Sequence, residues 1–316
     1  VPQVDNWLLN AAEVAVLDVR EHRWRFAHDK LRQAALADLD AAALAALHRQ
    51  AAEALEAAHP TETMRYAEPL ADHWLRSDQP VRAIGPAIEA ASHLLETLGQ
   101  YARAEALLER ALQVFQAADS PDPRWGMKLY ILFGTPLAAG GMFKRAQEFY
   151  LHGLEVAERI GDSAWQAQAL RGLILAYTGT NDYAQAIACG ERSLALCRAL
   201  KDKRGEAATL NFILVPFIES GQHAQARVYL ELLVATGDHI GLATAFRRQG
   251  NQALADEDYE AGRHFYLRSA AEARAVGDLS ALGMVLVNLG TVAHLQGQPT
   301  EARATLVEAR DMLRAL

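Results

Sequence analysis

Residues Thr178 to Ala186 read TGTNDYAQA. A glycine, two threonine hydroxyls and the Asn181–Asp182 pair in so short a span suit a loop that cradles a phosphate or offers oxygens to a cation. They suit a turn between two helices equally well. The rest of the chain decides, because the element recurs: LGQYARA ends at Ala104, GGMFKRA at Ala146, SGQHAQA at Ala226, DEDYEAG at Gly262 and QGQPTEA at Ala302. From Ala104 onward the closing small residue returns after 42, 40, 40, 36 and 40 residues. A period in that range is the signature of a solenoid of stacked helical units, and the stretch reads as a turn.

The residue types follow from that reading. Gly99, Gly141, Asn181, Gly221 and Gly297 occupy the point where a helix ends in a left-handed conformation, which only Gly and sometimes Asn adopt cheaply. Two residues later Tyr101, Phe143, Tyr183 and Tyr259 offer an aromatic plug between the paired helices, with His223 and Pro299 departing from the pattern. The closing Ala or Gly is small where two helix backbones approach. Ser92, Gly134, Gly250 and Gly290 are expected to be small for the same reason, whereas Ile174 and Leu214 break the series. A second turn, in RIGDSAW, ALKDKRG, ATGDHIG and AVGDLSA, places Gly161, Gly237 and Gly277 at helix C-termini and Asp162, Asp202, Asp238 and Asp278 as caps of the next helix.

This order of small and aromatic positions, from Met64 to Leu316, resembles the tetratricopeptide repeat in a variant with lengthened helices. The resemblance implies an all-α right-handed superhelix of six to seven helix pairs. Residues Met64 to Leu112 are less regular and read as three helices, the middle one from about Pro80 to Leu98.

The first sixty residues differ. Val14, Val16 and Val19, a charged turn, then Trp24 and Phe26 alternating with arginines read as a β-hairpin, followed by a helix opening at Asp29. A second apolar helix, AAALAALHRQAAEALEAAH, leads into the repeats. The segments RWRFAHDKLRQAAL, LHRQAAEALEA and ADHWLRSDQPVRAI, within residues 1 to about 98, resemble the junction of STAND-class signal-transduction ATPases, in which a P-loop domain precedes a winged helix and a repeat sensor. That resemblance implies a winged-helix-like segment over residues 1–60, a superhelix over 61–316 and an ATPase domain upstream of Val1. No Gly-x-x-x-x-Gly-Lys-[Ser/Thr] loop occurs, so this stretch alone is expected to bind no nucleotide.

Composition agrees with a folded helical chain. Of 316 residues 51% are hydrophobic and 22% charged, with no alternating Val/Ile/Thr runs of a sheet protein. The net charge of −8 argues against a nucleic-acid surface. A local surplus of basic residues around Arg20, Arg23, Arg25, Lys30 and Arg32 reads as a solvated or interdomain face. Cys189 and Cys197 stand eight positions apart on one helix, roughly 12 Å of rise, too far for a disulfide. Free thiols, with no secretory signal or membrane-length apolar run, point to the cytoplasm. The histidines are scattered, His22 and His28 included, and no metal cluster or catalytic motif is present; no cofactor is expected.

The candidate site is the inner wall. In a helix-pair solenoid the first helix of each unit lines the concave face, and residues three or four apart on it share a stripe. That stripe carries Arg171 and Thr178, then Asn211 and Phe212, Arg247 and Asn251, and finally Asn288, Thr291 and His294. Within the tetratricopeptide resemblance, Arg247, Asn251 and Asn288 match three positions of the carboxylate clamp that holds a peptide C-terminus. Pro136 and Pro216, late in first helices, are expected to kink them and to free the carbonyls of Leu132 and Phe212. The chain thus reads as a non-catalytic sensor module that takes a protein, peptide or small-molecule effector in its groove. The alternative is a free-standing scaffold that binds peptide tails.

Overall fold

Helices end and begin at the recurring turns. The computed structural model describes residues 17–20, 23–26, 34, 37, 39–59, 63–96, 99–119 and 121–314. Two short strands, β1 (Leu17–Arg20) and β2 (Arg23–Phe26), pair antiparallel with Leu17 opposite Phe26 and Arg20 opposite Arg23. Val14, Val16 and the helix opening at Asp29 lie outside the described residues, apart from helical Ala34 and Ala37. The paired strands match the predicted hairpin and do not show a winged helix.

Fourteen α-helices follow among the described residues. The first four are α1 (Ala41–Ala58), α2 (Thr63–Leu75), α3 (Ile84–Glu96), entered through a 3-10 turn at Pro80–Ala83, and α4 (Tyr101–Ala117). The regular units pair α5 (Pro123–Ala139) with α6 (Phe143–Ile160), α7 (Ser163–Gly179) with α8 (Tyr183–Leu200), and α9 (Lys203–Glu219) with α10 (His223–Thr236). Two more pair α11 (His239–Ala255) with α12 (Tyr259–Val276) and α13 (Leu279–Leu295) with α14 (Pro299–Arg314). Helix α1, expected as a linker, is tied to the array: Trp74 Nε1 donates to Glu56, and Arg82 both pairs with Glu56 and stacks 3.7 Å over the Trp74 ring.

The turns within the pairs share one geometry. Gly99, Gly141, Asn181, Gly221, Glu257 and Gly297 all have φ of 60–77°. In the last five the following amide donates 2.8–2.9 Å to the carbonyl five residues earlier, as from Asp182 to Tyr177, which closes a Schellman-type end. Glu257 and, in the second set of turns, Lys201 hold this conformation without being Gly or Asn. Asp162, Asp202 and Asp278 cap their helices as expected, but the Asp238 side chain makes no capping bond.

Two packing expectations need correction. Gly134 and Gly250 are small because a ring, rather than a backbone, lies on them: a Cβ would stand 2.6 Å from Tyr150 or 2.5 Å from Tyr266, each from the partner second helix. Gly290 likewise lies under Leu306. Two of the turn aromatics do not plug the paired helices either, whereas Tyr259 packs on the core of its own pair. Phe143 lies against Gly179, at the end of the next unit's first helix, and Tyr101 is 44% exposed. The deeper wedge is Tyr150, 3% exposed and held between Gly134 and Gly172 of successive first helices. The expectation for the closing positions holds: Ala104, Ala146, Ala186, Ala226 and Ala302 are buried, and Gly262 faces the backbone of Gly250.

First helices of neighbouring units lie against one another from α3 through α13, whereas the second helices of the regular units stand apart. That asymmetry curves the array with the first helices inside. Pro136 and Pro216 are accommodated within α5 and α9, both buried.

Candidate functional site: the concave groove

The hydroxyls and the Asn–Asp pair of the loop TGTNDYAQA hold the turn itself together. Thr178 Oγ1 donates 2.7 Å to the Ile174 carbonyl, Thr180 Oγ1 donates to Tyr177, and Asp182 accepts from the Gln185 amide. Asn181 Oδ1 accepts from the Tyr183 hydroxyl at 3.0 Å. These four oxygens are engaged in ending one helix and starting the next.

The groove residues divide into those the fold gathers and those it disperses. On α11, Asn251 Oδ1 accepts from the Tyr266 hydroxyl at 2.8 Å and from Asn288 Nδ2 at 3.2 Å. This bond bridges two successive units and fixes Asn251 beside Asn288. Arg247, one turn before Asn251, is half-buried and forms no hydrogen bond or ion pair among the described residues. Its neighbour Arg248 reaches back to α9, where Nη1 donates 3.5 Å to the Asn211 carbonyl. Asn211 Oδ1 is buried close by without a partner among the described residues.

Arg248 is the residue that the sequence reading missed. Burial pushes its pKa below the usual guanidinium value, and the adjacent Arg247 charge pushes the same way. It lines a hollow of about 300 Å³ with Val215, Ile218, Asn251 and Gln252. Glu219 lies on the wall of that hollow without pairing to either arginine. A guanidinium withdrawn from water with a second one beside it and no counterion is an electrostatic deficit that an anion would relieve.

The other predicted groove residues serve the scaffold or lie elsewhere. Phe212 is partly buried against the core. Arg171, two units away, points its Nη1 to Cys197 Sγ at 3.8 Å. Thr178 and Thr291 both return their hydroxyls to their own helices, Thr291 to Val287 at 3.0 Å. His294 is exposed and lines a separate shallow hollow against α14, with Arg303 and Leu306. Cys189 and Cys197 are buried free thiols, and burial pushes the Cys189 thiol up to about 11. Among the described residues no three His, Cys, Asp or Glu side chains are placed to hold a metal, and no helix is long and apolar enough to cross a membrane.

Comparison with known proteins agrees with this architecture. A tetratricopeptide repeat model matches residues 86–117, the span of α3 and α4. No curated protein sequence matches the chain. Among solved structures, the apo quorum sensor NprR from B. thuringiensis superposes with a TM-score of 0.58 at 16% identity, over 84% of this chain and 74% of NprR. Aspartyl phosphate phosphatase F from Bacillus subtilis gives 0.56 at 13% identity, over 99% of this chain and 81% of the phosphatase. NprR in complex with its cognate peptide NprX gives 0.52 at 18% identity, over 71% and 64%. The array of helix pairs is a tetratricopeptide-like α-solenoid.

Proposed function

We propose that this solenoid is a sensor and regulatory module that binds a carboxylate-bearing peptide or protein segment in its groove, at Arg247, Arg248, Asn251 and Asn288. The observation that carries the reading is the Arg247–Arg248 pair, two guanidiniums without an acidic partner among the described residues, one of them largely desolvated. Beside them stand amides, which orient a carboxylate without competing for it. Charge-assisted hydrogen bonds from arginine to carboxylate are short and strong, and partial burial strengthens them further. That NprR, of similar fold, has been solved with a cognate peptide supports a peptide as the effector class.

The sequence resemblance of residues 1–98 to the STAND junction supports a place for the module downstream of an ATPase domain in a longer chain. In that arrangement the solenoid is non-catalytic, and effector binding alters its hold on the ATPase. Buried free thiols suit the reducing cytoplasm.

A peptide library with free C-terminal carboxylates, screened against the chain, tests the groove. Hits re-made as C-terminal amides, or re-measured against Arg247→Ala/Asn251→Ala, should bind more weakly by about 1.5–3 kcal/mol per charged contact removed, with helix content unchanged. Amidated peptides and the double variant both binding as tightly as the originals would refute the assignment.

A further inference from the structure

The solenoid is interrupted on its outer side. Every other second helix lies along the first helix of the next unit, but α10 barely touches α11. The cause is legible in the repeat register. Thirteen and ten residues before the closing small residue, the first helices carry Phe133 and Pro136, Leu173 and Ala176, Ile213 and Pro216, and Leu289 and Val292. Two of these positions meet the preceding second helix directly: Ile213 lies against Gly190 of α8, and the Gln147 side chain of α6 reaches the Ala176 carbonyl, whereas Phe133 stacks on Phe149 of its own unit. In α11 the two positions are Gln249 and Gln252. Two amides replace an apolar seam, and α10 does not seat on them.

The result is a cleft of about 650 Å³ between α10 and α12, floored by α11. Its walls are Leu230 and Val234 on one side and Ala261 and Phe265 on the other. Val234 is 43% exposed, while its register equivalents Leu154, Leu194 and Ala270 are buried. The floor is different. The Gln249 amide has no hydrogen-bond partner among the described residues, and Gln252 uses one N–H on Asp256.

We propose that this cleft is a second binding site, for an uncharged aromatic molecule that presents an amide-like hydrogen-bonding edge to Gln249 and Gln252. Its volume lies in the range of about 300–1,000 Å³ typical of small-molecule sites, with apolar walls and the polar groups at its floor and rim. The rim mixes both signs, with Arg227 and Arg268 against Glu231, Asp256 and Asp258, the last already accepting from the Ala261 amide, so it offers no strong net charge to a ligand. A helix or a second copy inserting an apolar face would strand the two floor amides without partners, whereas a ring with a donor–acceptor edge satisfies them.

Nile red, an uncharged aromatic dye whose ring carbonyl can accept from an amide N–H, is the probe. Titration of the whole chain should give saturable one-to-one fluorescence. Two variants remove the cleft from opposite sides. Ala261→Trp fills it from a half-exposed wall position, and Gln249→Leu/Gln252→Leu gives α10 an apolar seam to close on. Each should weaken dye binding at least tenfold, and the second should raise the melting temperature. Val307→Lys, on the separate exposed face of α14, should leave binding unchanged. Binding within twofold of wild type in either cleft variant, with helicity intact by circular dichroism, overturns the site. Loss of binding in the Val307→Lys variant also overturns it. Tenfold tighter binding of the anionic dye anilinonaphthalene sulfonate than of Nile red overturns the uncharged class.

Discussion

The wedge at Tyr150 makes a quantitative prediction about how successive units are held together. A Cβ built on Gly172 of α7 would stand 2.3 Å from the Tyr150 ring, and one on Gly134 of α5 would stand 2.6 Å from it. Ordinary contact begins near 3.4 Å, so Gly172→Ala must move the ring by about an ångström, and Gly134 blocks the retreat. Overpacking of this kind costs about 1–3 kcal/mol. The same substitution removes a glycine from a helix interior, a gain of about 1 kcal/mol. The single variant should therefore be destabilised by about 0–2 kcal/mol, a smaller loss than the clash alone. Tyr150→Leu deletes the ring and costs about 2–4 kcal/mol through lost burial. In that background the clash is gone, and Gly172→Ala should stabilise. The two changes should couple by about 1–3 kcal/mol in favour of the double variant. Urea unfolding followed by far-ultraviolet circular dichroism on all four proteins measures the cycle. Additivity within about 0.5 kcal/mol would show that the ring is not what requires a glycine there.

The same residue predicts a pH effect. Burial raises the Tyr150 hydroxyl to about 12 against the opposing hydrogen bond with Thr135, so the folded state keeps a proton that the unfolded chain loses near pH 10. Its contribution is intact below pH 10 and falls as pH rises toward 12. Tyr150→Phe should remove this fall, on the order of 3 kcal/mol in unfolding free energy, from the pH profile of urea stability, and parallel profiles for the two proteins would count against it. At the turns, Gly221→Val should cost about 1–2 kcal/mol, because Gly221 has φ of 74°, and an unchanged melting temperature would contradict it. Glu257→Gly should instead stabilise by about 0.5–1 kcal/mol, because Glu257 holds φ of 60°, and a lowered melting temperature would show that the glutamate side chain does more than turn the chain.

The turns were readable because left-handed backbone selects a residue type. Five of the six positions within the pairs carry Gly or Asn, and their period located the turns within the pairs from Gly99 onward. Glu257 and Lys201 gave no such sign, since neither side chain favours the conformation that the surrounding helices impose on it. The groove was readable only in part. A stripe of residues three or four apart finds Arg247 and Asn251, but takes in Phe212, whose neighbours on the fold are core, and passes over Arg248. What marks Arg248 is a difference between units: a cation stands where α5 has buried Leu132 and α9 has Phe212 packed on the core. Thr178 and Thr291 look like groove donors, yet a helical threonine has its own carbonyl four residues back within reach, and both hydroxyls go there. The glutamine pair likewise becomes visible only when the first helices are compared column by column.

Helix α11 joins the two proposed sites. Arg248 and Asn251 line the hollow between α9 and α11, and Gln249 lines the cleft. Ile218 of α9 and Gln252 line both the groove hollow and the cleft. In a solenoid each unit contacts only its neighbours, so a bound molecule reaches distant units only through the interfaces it alters. The α10–α11 interface lacks the apolar seam of the others, and shifting α11 there exposes little apolar surface. An anion drawn to Arg247 and Arg248 acts on that same helix, which the Asn251–Asn288 bond ties onward to α13. A molecule filling the cleft would hold α10 and α12 apart and fix where α11 can sit. Any such effect on groove affinity must be returned, so an effector in the groove would change affinity in the cleft by the same factor.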